Sequence, residues 1–401
     1  MKLAIATVAL AATAGPACAQ AIILKPLIEA RLRGELVDQA GLADTAEAVT
    51  MRVRAGVSAT RGGFGALVEV QGNLAVADAY FDGLEGPATR PLIADPQSIA
   101  LYRAQIHYRD EALAVTAGRQ RIALDDERFV GAIGFRQNGQ TFDAIRFEWR
   151  PAPRVRADLS YAWAVRTIWG IDGAGARPRA ISGDNIFATL SYATPAATLS
   201  GFAYLIDQDE AAVQGYRLSS QTYGVRLAGV RLIGKAASLS YQASWASQSD
   251  YRRNPNRYRA AYYLLDAGLT VSRARLGVGY EVLGAAEGAA LTSFQTPLAT
   301  GFKFKGWADN FLTTPPEGIH DLYGTFGYGA KRFGPFTGVS LQAAYHRFDS
   351  DRLARRYGSE VDLLASGKLG KYTLALRYAR YDADRFATDT RKAWVQLDWA
   401  F

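Results

Sequence analysis

Residues 155–166 read Val-Arg-Ala-Asp-Leu-Ser-Tyr-Ala-Trp-Ala-Val-Arg. Val155, Ala157, Leu159, Tyr161, Trp163 and Val165 share one face of an extended chain, and Arg156, Asp158, Ser160 and Arg166 share the other. Successive side chains of a strand point to opposite faces, so strict alternation is a strand signal. The pattern holds on both sides of this stretch. Upstream, Ile28, Ala30, Leu32 and Leu36 oppose Glu29, Arg31, Arg33 and Glu35, while Val49, Met51, Val53, Ala55 and Val57 oppose Thr50, Arg52, Arg54 and Ser58. Downstream, Leu239, Tyr241, Ala243 and Trp245 oppose serines and Gln242, and the chain closes on Val395, Leu397, Trp399 and Phe401. The apolar face of these segments carries no charge. Each runs to roughly ten residues, the length of a tilted membrane strand and longer than is usual in a soluble sandwich. Tyr161, Trp163, Tyr241, Trp245, Tyr372 and Tyr378 sit towards segment ends, as in the aromatic girdles of a membrane barrel.

Composition removes the alternatives. Of 401 residues one is cysteine, which excludes a disulfide scaffold and a thiolate metal site. At 49% hydrophobic residues the chain is not disordered. Asn185 to Ile206 is free of charge and long enough for a membrane helix, but Ala193-Thr194-Pro195 at its centre reads as a turn between two strands. The first nineteen residues read as a secretory signal peptide: Lys2, an apolar run from Leu3 to Ala14, and Ala17-Cys18-Ala19 before the expected cleavage at Gln20. Removing residues 1–19 takes one lysine and no acid, so the formal charge goes from +8 to +7 and the only cysteine leaves with the signal.

Connections then set the topology. Short ones fall at Arg61 to Gly63, Arg109 to Glu111, Pro151 to Pro153, Thr194 to Ala196, Val230 to Lys235, Ser272-Arg273, Lys331 to Phe336 and Gly367 to Gly370. Between them lie longer polar stretches at 38–47, 73–97, 119–140, 167–183, 207–219, 247–257, 284–318, 347–357 and 381–389. Short periplasmic turns alternating with long outer loops are the layout of an outer-membrane barrel, and a closed barrel is the one sheet that satisfies its whole backbone in lipid. The reading is all-β: a transmembrane antiparallel up-and-down β-barrel of about 18 strands over residues 20–401, with both termini in the periplasm. The first strand begins within about ten residues of the cleavage site, which leaves no chain for a plug.

Inward positions place arginines and lysines against a slightly smaller number of acids. The type of cation matters more than the balance, because the planar guanidinium fork binds carboxylates bidentately. Arg31, Arg33, Arg52 and Arg54 come together on the first two strands, with Arg103 and Arg146 further round. Gly118 to Asp143 is dense in charge interrupted by Phe129, Val130, Ile133 and Phe135, and Phe294 to Tyr323 is similarly built around Phe302, Phe304, Trp307, Phe311 and Leu312. Such apolar residues need burial, so both loops are expected to fold into the lumen and narrow it.

Two motifs carry a resemblance. The run Gly118-Arg119-Gln120-Arg121-Ile122, Asp126, Arg128-Phe129-Val130-Gly131, Arg136-Gln137-Asn138 and Thr141-Phe142-Asp143 resembles the signature of the alginate export family of outer-membrane porins. So does Thr296 to Thr300, followed by Lys303-Phe304, Gly306 to Asp309, Phe311-Leu312, Thr314-Pro315 and Asp321 to Tyr323. The resemblance implies an 18-stranded monomeric barrel with an Arg-rich lumen that passes an anionic uronate polymer. It adds Arg119, Arg121, Arg128, Arg136 and Asn138 to Arg31, Arg33, Arg52, Arg54, Arg103 and Arg146 as pore-lining candidates. Phe135 stands where that family often has Trp, and Gln140 where it often has Arg.

The expected function is passive diffusion of an anionic oligo- or polysaccharide across the outer membrane. The alternatives are a general or small-solute uptake porin and, from another class, an outer-membrane barrel enzyme. The catalytic inventory argues against the enzyme: the histidines are His107, His320 and His346, and neither Gly-x-Ser-x-Gly nor His-Glu-x-x-His occurs. No cofactor and no metal is expected. The expected partners are outer-membrane lipid and lipopolysaccharide, the saccharide, and periplasmic export or uptake machinery; cations alternating around an interior exclude a nucleic-acid stripe.

Overall fold

The computed structural model describes residues 21–211, 214–234 and 236–400. The signal peptide expected at 1–19, with Cys18, and the terminal Phe401 fall outside the described residues. The described chain forms β1 Ile23–Gln39, β2 Ala46–Arg61, β3 Phe64–Ala79, β4 Ser98–Arg109, β5 Leu113–Gln120, β6 Thr141–Ala152, β7 Val155–Arg166, β8 Ala180–Ala193 and β9 Thr198–Ile206. It continues through β10 Ser220–Ile233, β11 Ala237–Asp250, β12 Arg259–Val271, β13 Ala274–Leu283, β14 Ile319–Phe333, β15 Phe336–Asp349, β16 Arg356–Leu369, β17 Tyr372–Ala383 and β18 Thr390–Ala400. Each strand pairs antiparallel with the next, and β1 pairs with β18 from Glu29↔Ala400 to Gln39↔Thr390, which closes the sheet. The 18-stranded barrel read from the sequence is the fold.

The alternation explains both faces. Leu32, Met51, Leu265 and Leu322 point outward and are exposed to what would be lipid, while Arg33, Arg52, Glu281 and Asp321 point inward. Outward Tyr161, Trp163, Trp245 and Tyr378 ring the long-loop end; Trp149, Tyr192, Tyr328 and Tyr372 ring the other. No helix among the described residues is long and apolar enough to cross a membrane. The uncharged stretch around Pro195 is β8, a turn and β9, as the proline requires.

The differences lie at strand ends. Many strands run past the expected ten residues, to 17 in β1, because both faces keep pairing beyond the apolar band at the long-loop end. The long connections are correspondingly shorter, at 40–45, 80–97, 251–258, 350–355 and 384–389. At the other end the turn Gly334-Pro335 lies inside the expected Lys331 to Phe336, while Gly370-Lys371 falls at the end of the expected Gly367 to Gly370 and one residue beyond it. Gly334 and Gly370 adopt φ of 55° and 60°, the left-handed backbone that a two-residue hairpin turn demands at its first position.

Candidate functional site: the constricted lumen

Two connections fold inward. The β5–β6 connection, 121–140, alternates: Ile122 and Leu124 are buried while Arg121 and Ala123 stay exposed. Its Phe129 packs on the inner faces of Phe202, Tyr204 and Tyr262. The β13–β14 connection, 284–318, seats Phe311 against Phe348, Tyr357 and Tyr381 on the opposite wall. The two connections then pair with each other. Val130 bridges Leu298, Gly131 donates to the Leu298 carbonyl at 2.9 Å, and the Thr300 amide donates to the Glu127 carbonyl at 3.1 Å. Gln140 holds the Gly131 and Leu298 carbonyls at 2.8 and 3.1 Å, so this glutamine clamps the crossing. The folding of both connections into the lumen is as the apolar residues required.

Charged side chains fasten them to the barrel. Arg128 is buried and grips Glu281 on β13 through Nε at 2.5 Å and a second nitrogen at 3.1 Å, with Thr296 on a third. Burial works against its charge, but Glu281 more than offsets that and raises its pKa. Arg136 bonds Asp309 at 2.6 Å and so ties one connection to the other. Asn138 donates to the Pro96 carbonyl at 2.9 Å and accepts from Gln71 at 3.0 Å. Arg33 is fully buried against the Phe135 carbonyl, Asp95 and Gln396. Above it Phe135 stacks on Phe302 at 3.4 Å, and Phe302 lies 5.8 Å from Trp307.

The pore-lining candidates therefore occupy different settings. Arg33, Arg128, Arg136 and Asn138 are 6% exposed or less and act as fastenings of the connections, not as water-facing groups. The 121–140 connection covers Arg33 and buries its own Arg128, Arg136 and Asn138, which a strand-by-strand reading could not anticipate. Arg31 and Arg52 stand opposite each other on β1 and β2; Arg31 bonds Asp398 at 2.7 Å, and Arg52 and Arg54 share Glu29 at 2.9 and 2.8 Å. Arg54 also lies over the Tyr102 ring at 3.9 Å. Arg52 Nε and Nη1 and Arg54 Nη2 have no protein partner although buried. Arg103 pairs with Glu69, Arg119 with Asp143, and Arg146 with Asp158, at 2.5–2.7 Å, each partly open to the lumen. Arg121 is exposed and makes no ion pair among the described residues.

The register adds members to this wall. Arg156 pairs with Glu148 and Arg166 with Asp143, both at 2.7 Å, with side chains 51% and 36% exposed. It also separates the charges around the circumference. The arginines concentrate on β1–β7, whereas Asp266, Glu281, Asp321, Glu360 and Asp362 stand on β12–β16. A cavity of about 620 Å³ lies on that acidic side beneath Phe304 and Trp307. Within it Tyr323 donates to Asp266 at 2.9 Å and His346 bonds Asp321 at 2.9 Å. The Ala308 amide donates to Glu360 at 2.7 Å. Gly306 makes that approach possible, because a Cβ there would run into the Glu360 carboxylate. Lys305 is buried nearby; burial first and the Arg128 guanidinium second push its pKa down to about 7, against Glu281 and Asp321.

A closed 18-stranded barrel with an apolar outer band, aromatic girdles and inward-folded loops is an outer-membrane channel by class. Residues 29–290 match the alginate export family, and the chain belongs to it. Solved structures share the fold across nearly their whole length at low identity. Pseudomonas aeruginosa OccK9 (OpdG) is 14% identical with a TM-score of 0.70, over 94% of this chain and 98% of that one. The outer membrane protein opdK from Pseudomonas aeruginosa gives 11% and 0.68 over 94% and 98%, and Acinetobacter baumannii OccAB4 gives 13% and 0.68 over 95% and 98%. No curated protein matches the sequence. Family and fold place the chain in the bacterial outer membrane.

Proposed function

We propose that this barrel passes anionic, carboxylate-bearing saccharides by passive diffusion, with its short turns and both termini in the periplasm. One observation carries the reading: Arg103, Arg119, Arg146, Arg156 and Arg166 all stand partly open on the neighbouring strands β4–β7, and Arg121, just past β5, is exposed and unpaired among the described residues. Rings and rows of arginine select anions, and a guanidinium fork matches a carboxylate in geometry as well as charge. Each arginine of the row except Arg121 already holds a wall carboxylate. A passing carboxylate exchanges with an existing partner, so it is bound weakly at each step and moves on.

A second reading, passage of small carboxylates instead of a polymer, is favoured by the paired connections 121–140 and 284–318, which reach the inner walls of β9, β12 and β15–β18. Planar-bilayer recordings separate the two. Anion-selective current blocked by uronate oligomers supports the saccharide reading, and block by monomeric uronate alone supports the small-solute one. Cation selectivity or absence of current overturns both.

A further inference from the structure

The outer face carries its own charge pattern at the long-loop end. β15 and β17 carry matching Arg-aromatic-Asp triplets at their long-loop ends, Arg347-Phe348-Asp349 and Arg380-Tyr381-Asp382. Phe348 and Tyr381 are fully buried on the inner face, so the arginines and aspartates flanking them point outward. The two arginine side chains are 52% and 49% exposed. In both triplets Nε donates to the carboxylate two residues on, at 3.0 and 2.9 Å. That bond fixes the direction of the fork and leaves its two Nη groups without a hydrogen bond among the described residues.

A third cation completes the row. Arg391 on β18 stands directly opposite Arg380. It faces outward between the buried Thr390 and Lys392, and it makes no ion pair among the described residues, not even with Asp38 opposite it on β1. Like charges directly opposite on one sheet face repel, with Cβ atoms roughly 5 Å apart. Arginines placed so, with donors unspent, ask for an anion between them. Height narrows the choice. Tyr345 and Tyr378 of the aromatic girdle precede Arg347 and Arg380 by two residues, so the row lies about 7 Å beyond the girdle, at headgroup level.

We propose that Arg347, Arg380 and Arg391 dock the phosphate groups of the outer-leaflet glycolipid, lipid A. The assignment of leaflet rests on the orientation given above, with long loops outside. Asp349, Asp382 and Asp38 cancel the formal charge of the row, so recognition comes from bidentate fork geometry, which a phosphomonoester meets and a phosphate-free glycolipid does not.

The test uses the purified full-length barrel in detergent, with native mass spectrometry of added lipid. Bisphosphorylated lipid A is expected to bind at least tenfold more tightly than dephosphorylated lipid A. The double variant Arg380→Ser/Arg391→Ser is expected to lose that preference while single-channel conductance is unchanged, because neither residue faces the lumen. Arg380→Lys/Arg391→Lys keeps the charge, removes the fork and is expected to lose most of the preference. Wild-type binding by the Ser pair, or equal binding of phosphatidylglycerol, overturns the proposal. A Thr388→Cys variant checks the orientation separately: labelling by an impermeant maleimide on whole cells supports it, and no labelling refutes the leaflet assignment whatever the lipid binding.

Discussion

Arg128 fastens the 121–140 connection to the barrel wall, and replacing it by Met should loosen the constriction. The arginine is 1% exposed and holds Glu281 at 2.5 and 3.1 Å, with only the Tyr262 hydroxyl, at 2.8 Å, as a further hydrogen-bond partner of that carboxylate among the described residues. Removing one member of a buried, hydrogen-bonded pair costs about 3–5 kcal/mol, because the other charge is left uncompensated. At 1.4 kcal/mol per factor of ten, this shifts the docked–undocked balance of the connection by roughly 10²- to 4 × 10³-fold. The bonds of Gly131 and Gln140 to Leu298 remain, so the expected result is frequent excursions, not permanent release. Single-channel recordings should show a noisy baseline with openings to higher conductance. Resistance of the barrel to SDS before heating verifies that the fold survives. The second variant, Arg128→Met/Glu281→Leu, removes both charges and should restore a quiet channel, since an apolar pair in that place leaves no unpaired charge. A quiet Arg128→Met channel of wild-type conductance would refute the clasp, as would a double variant noisier than the single.

Other tests follow from the same geometry. Lys305 has its pKa pushed from 10.5 to about 7, so its charge appears on the constriction as pH falls through about 7; anion preference measured by reversal potential should step up there, and Lys305→Met should remove the step. The sign for stability is opposite: the cost of burying the charge is present below about 7 and is relieved between 7 and 10.5, where the folded form alone loses the proton, so stability against denaturant should rise over that window. Arg121→Ser should lower anion preference more than Arg52→Ser does, because Arg121 is exposed and unpaired whereas Arg52 is 3% exposed beside Glu29; the reverse order in reversal potentials counts against the row as the selective path. Deleting residues 300–312 removes Phe302, Asp309 and Phe311 from the lumen and should raise conductance; an unchanged value would mean that this segment does not narrow the path.

The architecture was legible because one property repeats in every strand. A period of two with a chargeless outer band leaves a closed barrel as the only consistent sheet, and Pro195 divided β8 from β9 without ambiguity. Positions within the site were less legible, for a physical reason. Alternation says that Arg33 and Arg103 both point inward, but not that the 133–137 segment will cover the first and leave the second open. That outcome depends on contacts across more than a hundred residues, such as Arg31 with the Phe135 carbonyl and Arg128 with Glu281. The Arg-aromatic-Asp triplets at 347–349 and 380–382 were present in the sequence. Their meaning depended on register, because only the alignment of Arg380 with Arg391 shows that two cations meet on the outer face.

The pairing of the inward arginines bears directly on how a channel can be selective without being a trap. An isolated guanidinium in a low-dielectric lumen would hold a carboxylate too firmly for fast passage, since conduction requires sites that are easy to leave. Here Asp143 is shared by Arg119 and Arg166, and Glu148 and Asp158 by Arg146 and Arg156. A mobile carboxylate entering this row replaces one wall contact while the displaced carboxylate keeps its second arginine, so the exchange is close to neutral in energy. On the proposed function, selectivity then arises from the fixed geometry of the forks, and speed from the shared acids. Replacing Asp143 by Asn should therefore tighten block by uronate and lengthen its dwell time, because Arg119 and Arg166 lose their common partner. Shorter dwell times in that variant would show that the acids help to bind the solute instead of helping to release it.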